Sequence, residues 1–186
     1  SVGIASEGNG NVTYTGAITI DDKGTGINDT ASVGIYKVDG TGTITTSVGN
    51  WSVGNSGYGI YSKGQGITVN NNADMTLGMS SVGIFSNGLN TINNNGKITV
   101  GATDVNGDHK DTKKHLNSVG IFATAGTIVN NSGNITVNHD HSVGIYGDGI
   151  GTKVTNTGNM TVDNGGVGIL VKNGAVAVNT GNVTLG

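Results

Sequence analysis

The sequence predicts an all-β chain wound as one parallel β-helix (β-solenoid), with three short strands in each coil of about 24 residues and about seven coils. Three observations predict it. A pentapeptide recurs along the whole chain, a second motif follows each copy, and no segment of 11 residues or more shows the 3.6-residue recurrence of a helix.

The pentapeptide supplies the first strand of each coil. It reads "SVGIA" at Ser1, "SVGIY" at Ser32, "GYGIY" at Gly57, "SVGIF" at Ser81 and Ser118, "SVGIY" at Ser142 and "GVGIL" at Gly166. Its central glycines are Gly3, Gly34, Gly59, Gly83, Gly120, Gly144 and Gly168, so successive spacings are 31, 25, 24, 37, 24 and 24. The two long intervals exceed the period by 7 and 13, and the extra residues fall at 21–31 and 102–117. Insertions into a repeat emerge as loops.

The second strand is a short β-branched segment centred on Val12, Val69, Ile92, Val129 and Val154, each four residues before the glycine (or Ala73) of the next motif. That motif, Asn-x-Gly-x-Φ-Thr-Φ with Φ apolar, supplies the third strand. It appears as "NNGKITV" from Asn94, "NSGNITV" from Asn131, "NTGNMTV" from Asn156 and "NTGNVTL" from Asn179, with weaker forms in the first three coils.

Coils of three strands stack about 4.8 Å apart, each strand pairing in parallel with its counterparts above and below, so seven coils stand about 34 Å tall. Period-two alternation predicts that Val and Ile of the pentapeptide point inward while Ser, Gly and the final aromatic point outward. The central glycines are expected to supply positive φ at corners. Asn94, Asn131, Asn156 and Asn179 are expected to tolerate left-handed backbone, or to bond their own turn or their copy one coil away. The column from Thr19 to Thr184 is expected to be a solvent-facing hydroxyl ladder.

Composition agrees with an extended repeat and removes several function classes. Glycine accounts for 35 of 186 residues, where an average chain has about 7%. Without Cys there are no disulfides, and all nine basic residues are Lys in a chain of net charge -3, which argues against a nucleic-acid partner. No apolar run approaches the roughly 18 residues of a membrane span. The chain opens in mid-pattern and without polar caps, and reads as a fragment of a longer protein.

Two surface features are candidates for partner binding. The fifth position of the pentapeptide aligns Tyr36, Tyr61, Phe85, Phe122 and Tyr146 as an aromatic ladder on one outer edge, covering the bare glycine backbone and offering an apolar stripe to a sugar or a protein. The longer insertion gathers Asp104, Asp108, His109, Lys110, Asp111, Lys113, Lys114 and His115 on one loop. "DVNGD" from Asp104 lacks the remaining oxygens and the distal Glu of a calcium loop. His139 and His141 flank Asp140 at i and i+2 but lack a third ligand nearby, so no metal and no cofactor is expected. For catalysis, Asp21 and Asp22 are adjacent and point apart in a strand, and Glu7 is the single Glu. No acid-base pair converges, so an enzyme is not expected.

The "SVGIY/F" units closing with "NxGxITV", rich in Asn, Gly and Thr and free of Cys, resemble the passenger region of the very large autotransporter (type V) adhesins of fusobacteria and their relatives. The resemblance spans all seven units and breaks at the two insertions. It implies a right-handed parallel β-helix displayed at a bacterial cell surface, exported through an outer-membrane barrel beyond this chain. The implied role is adhesion or coaggregation with a host or bacterial surface protein or glycan. The alternative is a structural spacer or a surface filament that self-associates through its coil ends. A polysaccharide-acting β-helix enzyme is the third reading.

Overall fold

The computed structural model describes residues 1–21, 31–101, 118–138, 141–163 and 165–186. They form three sheets of seven strands each, and every pairing is parallel. The first sheet contains Val2–Glu7, Val33–Val38, Tyr58–Lys63, Val82–Asn87, Val119–Thr124, Val143–Asp148 and Val167–Lys172. The second contains Val12–Tyr14, Gly42–Thr46, Ile67–Asn71, Thr91–Asn94, Ile128–Asn131, Lys153–Asn156 and Val176–Asn179. The third contains Thr19–Ile20, Asn50–Val53, Asp74–Leu77, Ile98–Val100, Ile135–Val137, Met160–Val162 and Val183–Leu185. Both predicted insertions fall on residues outside those described, apart from Asp21 and Ala31 at the ends of the first.

Register follows the repeat letter by letter. Val82 pairs with Val119 and Ile84 with Ile121, across an interval of 37 residues, as readily as Val119 with Val143 across 24. The core is a narrow prism. Ile35, Ile60, Ile84, Ile121 and Ile145 fill it from the first sheet, Ile44, Val69, Ile92, Val129 and Val154 from the second, and Trp51, Met75, Ile98, Ile135 and Met160 from the third. Each such side chain contributes about 1.5–3 kcal/mol on burial. Trp51, the largest of them, replaces a smaller residue in its column; its indole N–H donates to the Gly16 carbonyl at 3.1 Å and Tyr14 packs edge-on at 5.8 Å.

The predicted orientation of the pentapeptide needs correction. Alternation breaks at the glycine, where Gly and Ile both face inward. A Cβ built on Gly34 would lie 3.4 Å from the Cδ1 atoms of Ile18 and Ile20, inside the prism. Val, predicted inward, lies on the outer side: Tyr58 occupies the Val register between Val33 and Val82, and its ring meets the outward rings of Tyr61 and Phe85. Val33, Val82 and Val143 belong to no part of the core cluster, yet stacking between register partners leaves them only 8–9% exposed. Ser81, Ser118 and Ser142, predicted outward, are buried, and the hydroxyls of Ser81 and Ser118 donate to the Gly78 carbonyl at 2.6 and 2.7 Å.

The reason for the central glycines is also different. None of the seven has positive φ. A Cβ on Gly34, Gly59 or Gly83 would instead sit 2.6–2.7 Å from the carbonyl oxygen of the corresponding glycine in the next coil. Bare backbone is therefore required by stacking. Left-handed residues stand at the corners, among them Ser56, Ser80 and His141 between the third and first sheets.

The ladder asparagines likewise keep ordinary backbone and work through their side chains. Asn71, Asn94, Asn131 and Asn156 are buried, and each amide nitrogen donates twice: to the carbonyl two residues on, at 2.8–2.9 Å, and to the amide oxygen of the next coil's asparagine, at 2.6–2.7 Å. Both predicted partners are engaged at once. Thr46 caps the ladder by donating to Asn71 Oδ1 at 2.8 Å.

Candidate functional site

The outer side of the first sheet brings together the five aromatics singled out from the sequence. Tyr36 and Tyr61 stack with centroids 5.2 Å apart and planes at 18°, and Tyr61 and Phe85 stack at 4.7 Å and 19°. At Phe122 the ladder turns: its plane stands at 86° to Phe85 and 85° to Tyr146. The five rings are half-buried, register partners in consecutive coils. Sequence reasoning missed Tyr58, which widens the stripe; its place in the Val column hid it, because that column was assigned to the core.

Beside the rings runs a mixed column of Val38, Lys63, Asn87, Thr124, Asp148 and Lys172. The Tyr146 hydroxyl donates to Asp148 Oδ2 at 3.3 Å and Asn173 donates to Asp148 Oδ1 at 2.6 Å. Burial, then the Asp148 charge and this hydrogen bond, pushes the Tyr146 phenol above its usual range; burial, with Tyr36 and Tyr58 beside it, does the same to Tyr61. Both hydroxyls therefore remain neutral donors at physiological pH.

Among the described residues, one charged side chain enters the interior. Lys37 takes the inward position held by Ser62, Ser86 and Ala123 in later coils. It is fully buried, and its ammonium donates to the Gly8 carbonyl at 2.9 Å and to Ser6 Oγ at 3.3 Å. Burial lowers its pKa.

The remaining sides are polar. On the second sheet, Asn93 donates to Asn70 and Asn130 to Asn93, both at 2.9 Å, and a parallel file joins Asn95 to Asn72. On the third, the Thr column points outward as expected, beside a shallow groove of about 430 Å³.

The loop candidates Asp104, Asp108, His109, Lys110, Asp111, Lys113, Lys114 and His115 lie outside the described residues, as do Asp22, His139 and Asp140. Asp21 is exposed at the end of its strand and Glu7 is exposed on the first sheet. Among the described residues, no three His, Asp or Glu side chains gather where they could hold a metal ion, and no helix is long and apolar enough to cross a membrane.

Comparisons with curated proteins and with solved structures return no match. The resemblance of the repeats to an adhesin passenger β-helix does find a counterpart among protein families: over residues 74–181, more than half of its length, the chain matches the BigA third pectate lyase-like domain and belongs to that family.

Proposed function

We infer that this chain is a non-enzymatic segment of a bacterial cell-surface adhesin, a rigid rod that presents binding surface away from the cell. The observation that carries the reading is the outer side of the first sheet, where six half-buried rings form one apolar stripe on a fully parallel scaffold. Such a stripe on a soluble rod suits a partner surface. Family membership supports a surface-protein role. The repeat pattern supports an autotransporter passenger, exported and anchored through a region beyond this chain.

Chemistry on a glycan would need acid and base groups converging on one face. The six described carboxylates are instead spread along the rod: Glu7, Asp39 and Asp148 lie on or beside the first sheet, Asp74 lies on the third, and Asp21 and Asp163 follow third-sheet strands in different coils. The rod reading therefore stands ahead of the enzyme.

The test uses the full-length surface protein. Cells displaying it are scored for attachment to host epithelium and to other bacteria, beside cells displaying Tyr61→Ser/Phe85→Ser or a deletion of residues 102–117. Loss of attachment in either variant, with surface display unchanged, supports the adhesin. Full attachment in both overturns the proposed binding surfaces. Assembly of the purified protein that rises with concentration and vanishes in Tyr36→Ser/Tyr61→Ser/Tyr146→Ser would move the reading to a self-associating filament. Release of reducing sugar from any glycan, lost in Asp21→Asn, would move it to an enzyme.

A further inference from the structure

On the third sheet the outward positions read x-Φ-Thr, with x and Thr on the solvent side of a buried residue. In four coils x is asparagine: Asn50-Trp51-Ser52, Asn134-Ile135-Thr136, Asn159-Met160-Thr161 and Asn182-Val183-Thr184. Each is an Asn-x-Ser/Thr acceptor of N-linked sugar. The four asparagines are exposed, and Trp51, Ile135 and Met160 between the paired groups are buried.

What distinguishes this row from the asparagine ladders of the second sheet is that its amides are left open. The stacked asparagines of the second sheet join into ladders, inside through Asn94 and Asn131 and outside through Asn93 and Asn130. On the third sheet Asn134, Asn159 and Asn182 stand in adjacent coils with the same spacing, yet no amide nitrogen among them donates to a protein group; Asn134 Oδ1 only accepts from the Asn159 backbone at 3.1 Å. The hydroxyls of Ser52, Thr136, Thr161 and Thr184 are equally without a protein partner. A further acceptor sequence, Asn130-Asn131-Ser132, is closed: Asn130 Nδ2 is bound to Asn93 and Ser132 Oγ to Asn95 at 2.7 Å. Asn11-Val12-Thr13 on the second sheet is open at its amide nitrogen, while its oxygen accepts from Thr43.

We propose that Asn50, Asn134, Asn159 and Asn182 are N-glycosylation sites, sugared in a file along the outer side of the third sheet. Asn Nδ2 bonds to the anomeric carbon of a phosphate-activated sugar. The carbon–oxygen bond to phosphate breaks, the phosphate group leaves with the electron pair, and the amide proton passes to a base of the transferase. Nothing is oxidised or reduced. Coils about 4.8 Å apart leave room for single sugars on Asn134, Asn159 and Asn182 but not for branched chains on all three.

Peptide mapping by mass spectrometry, on the full-length protein isolated from the cells that make it, tests the proposal. Sugar is expected on Asn134, Asn159, Asn182 and Asn50 and not on Asn130. Thr136→Ala should lose the sugar at Asn134 alone, and Thr136→Ser should keep it. Single hexoses that survive a block of lipid-linked oligosaccharide assembly indicate a nucleotide-sugar donor; whole oligosaccharides lost under that block indicate the lipid carrier. Bare asparagine at all four positions, or sugar on Asn130 equal to theirs, overturns the proposal.

Discussion

The amide of Asn94 donates to the amide oxygen of Asn131 at 2.7 Å, although 37 residues of chain separate them. The bond is one rung of a file that crosses the longest interval in the repeat without a change of geometry, since Asn71 to Asn94 and Asn131 to Asn156 measure 2.7 and 2.6 Å. What the coil does between its sheets leaves the stacking untouched.

Asn131→Ala removes two rungs, to Asn94 and to Asn156, and strands an Asn94 N–H, the Asn156 amide oxygen and the Gly133 carbonyl in the interior. Each buried group left unpaired costs about 1–3 kcal/mol, so a loss of about 2–5 kcal/mol is expected in urea denaturation. Asn179→Ala, at an exposed position, should lose less than about 1 kcal/mol. Equal losses would contradict the ladder's role.

Gly83→Ala places a methyl 2.6 Å from the Gly120 carbonyl, and neither backbone can yield without shifting a coil. A loss of about 3 kcal/mol or more is expected. Gly8→Ala is the control, because Gly8 has φ of 69° but nothing within 4 Å of the added carbon; strain alone should cost about 1 kcal/mol. Were positive φ the reason for the central glycines, the ranking would reverse.

Ile121→Asp and Val119→Asp separate the inner from the outer apolar column. Ile121 is completely buried between Ile84 and Ile145, and a carboxylate there should cost more than about 4 kcal/mol or prevent folding. Val119 lies on the outer side, where the carboxylate reaches water, and a loss of about 1–2 kcal/mol is expected. Circular dichroism melts of the two variants decide between the orientations.

Lys37→Met exchanges a buried ammonium for an apolar chain of similar length and should stabilise the fold by about 1 kcal/mol at pH 7. Because burial lowers the Lys37 pKa, the folded chain releases that proton before the unfolded chain does. Unfolded protein then binds more protons, and wild-type stability gains from Lys37 as pH rises from the lowered value toward 10.5. Tyr61 and Tyr146, with raised pKa values, act in the opposite sense at higher pH in both proteins and cancel in the comparison. The advantage of Lys37→Met should therefore shrink with rising pH; a constant advantage would show that Lys37 is not strained by its charge.

Much of this fold was legible in the letters because a stack of equal coils repeats its reasons. Ile84 sits on Ile121 and Thr99 on Thr136 for one cause, so seven copies report the period, the three strands and the columns of the second and third sheets. The aromatic ladder was legible on the same ground. Tyr58 was not, since a residue in the Val column takes its meaning from the side that column faces.

Sequence alone determined that like residues pile on like, because parallel pairing at a fixed period admits no other register. Tertiary structure decided which way each column faces at the start of the first-sheet strands. There two consecutive residues, Gly34 and Ile35, both turn inward because one coil's glycine must pass within contact of the next coil's carbonyl, a packing constraint that strict alternation along a single strand does not contain.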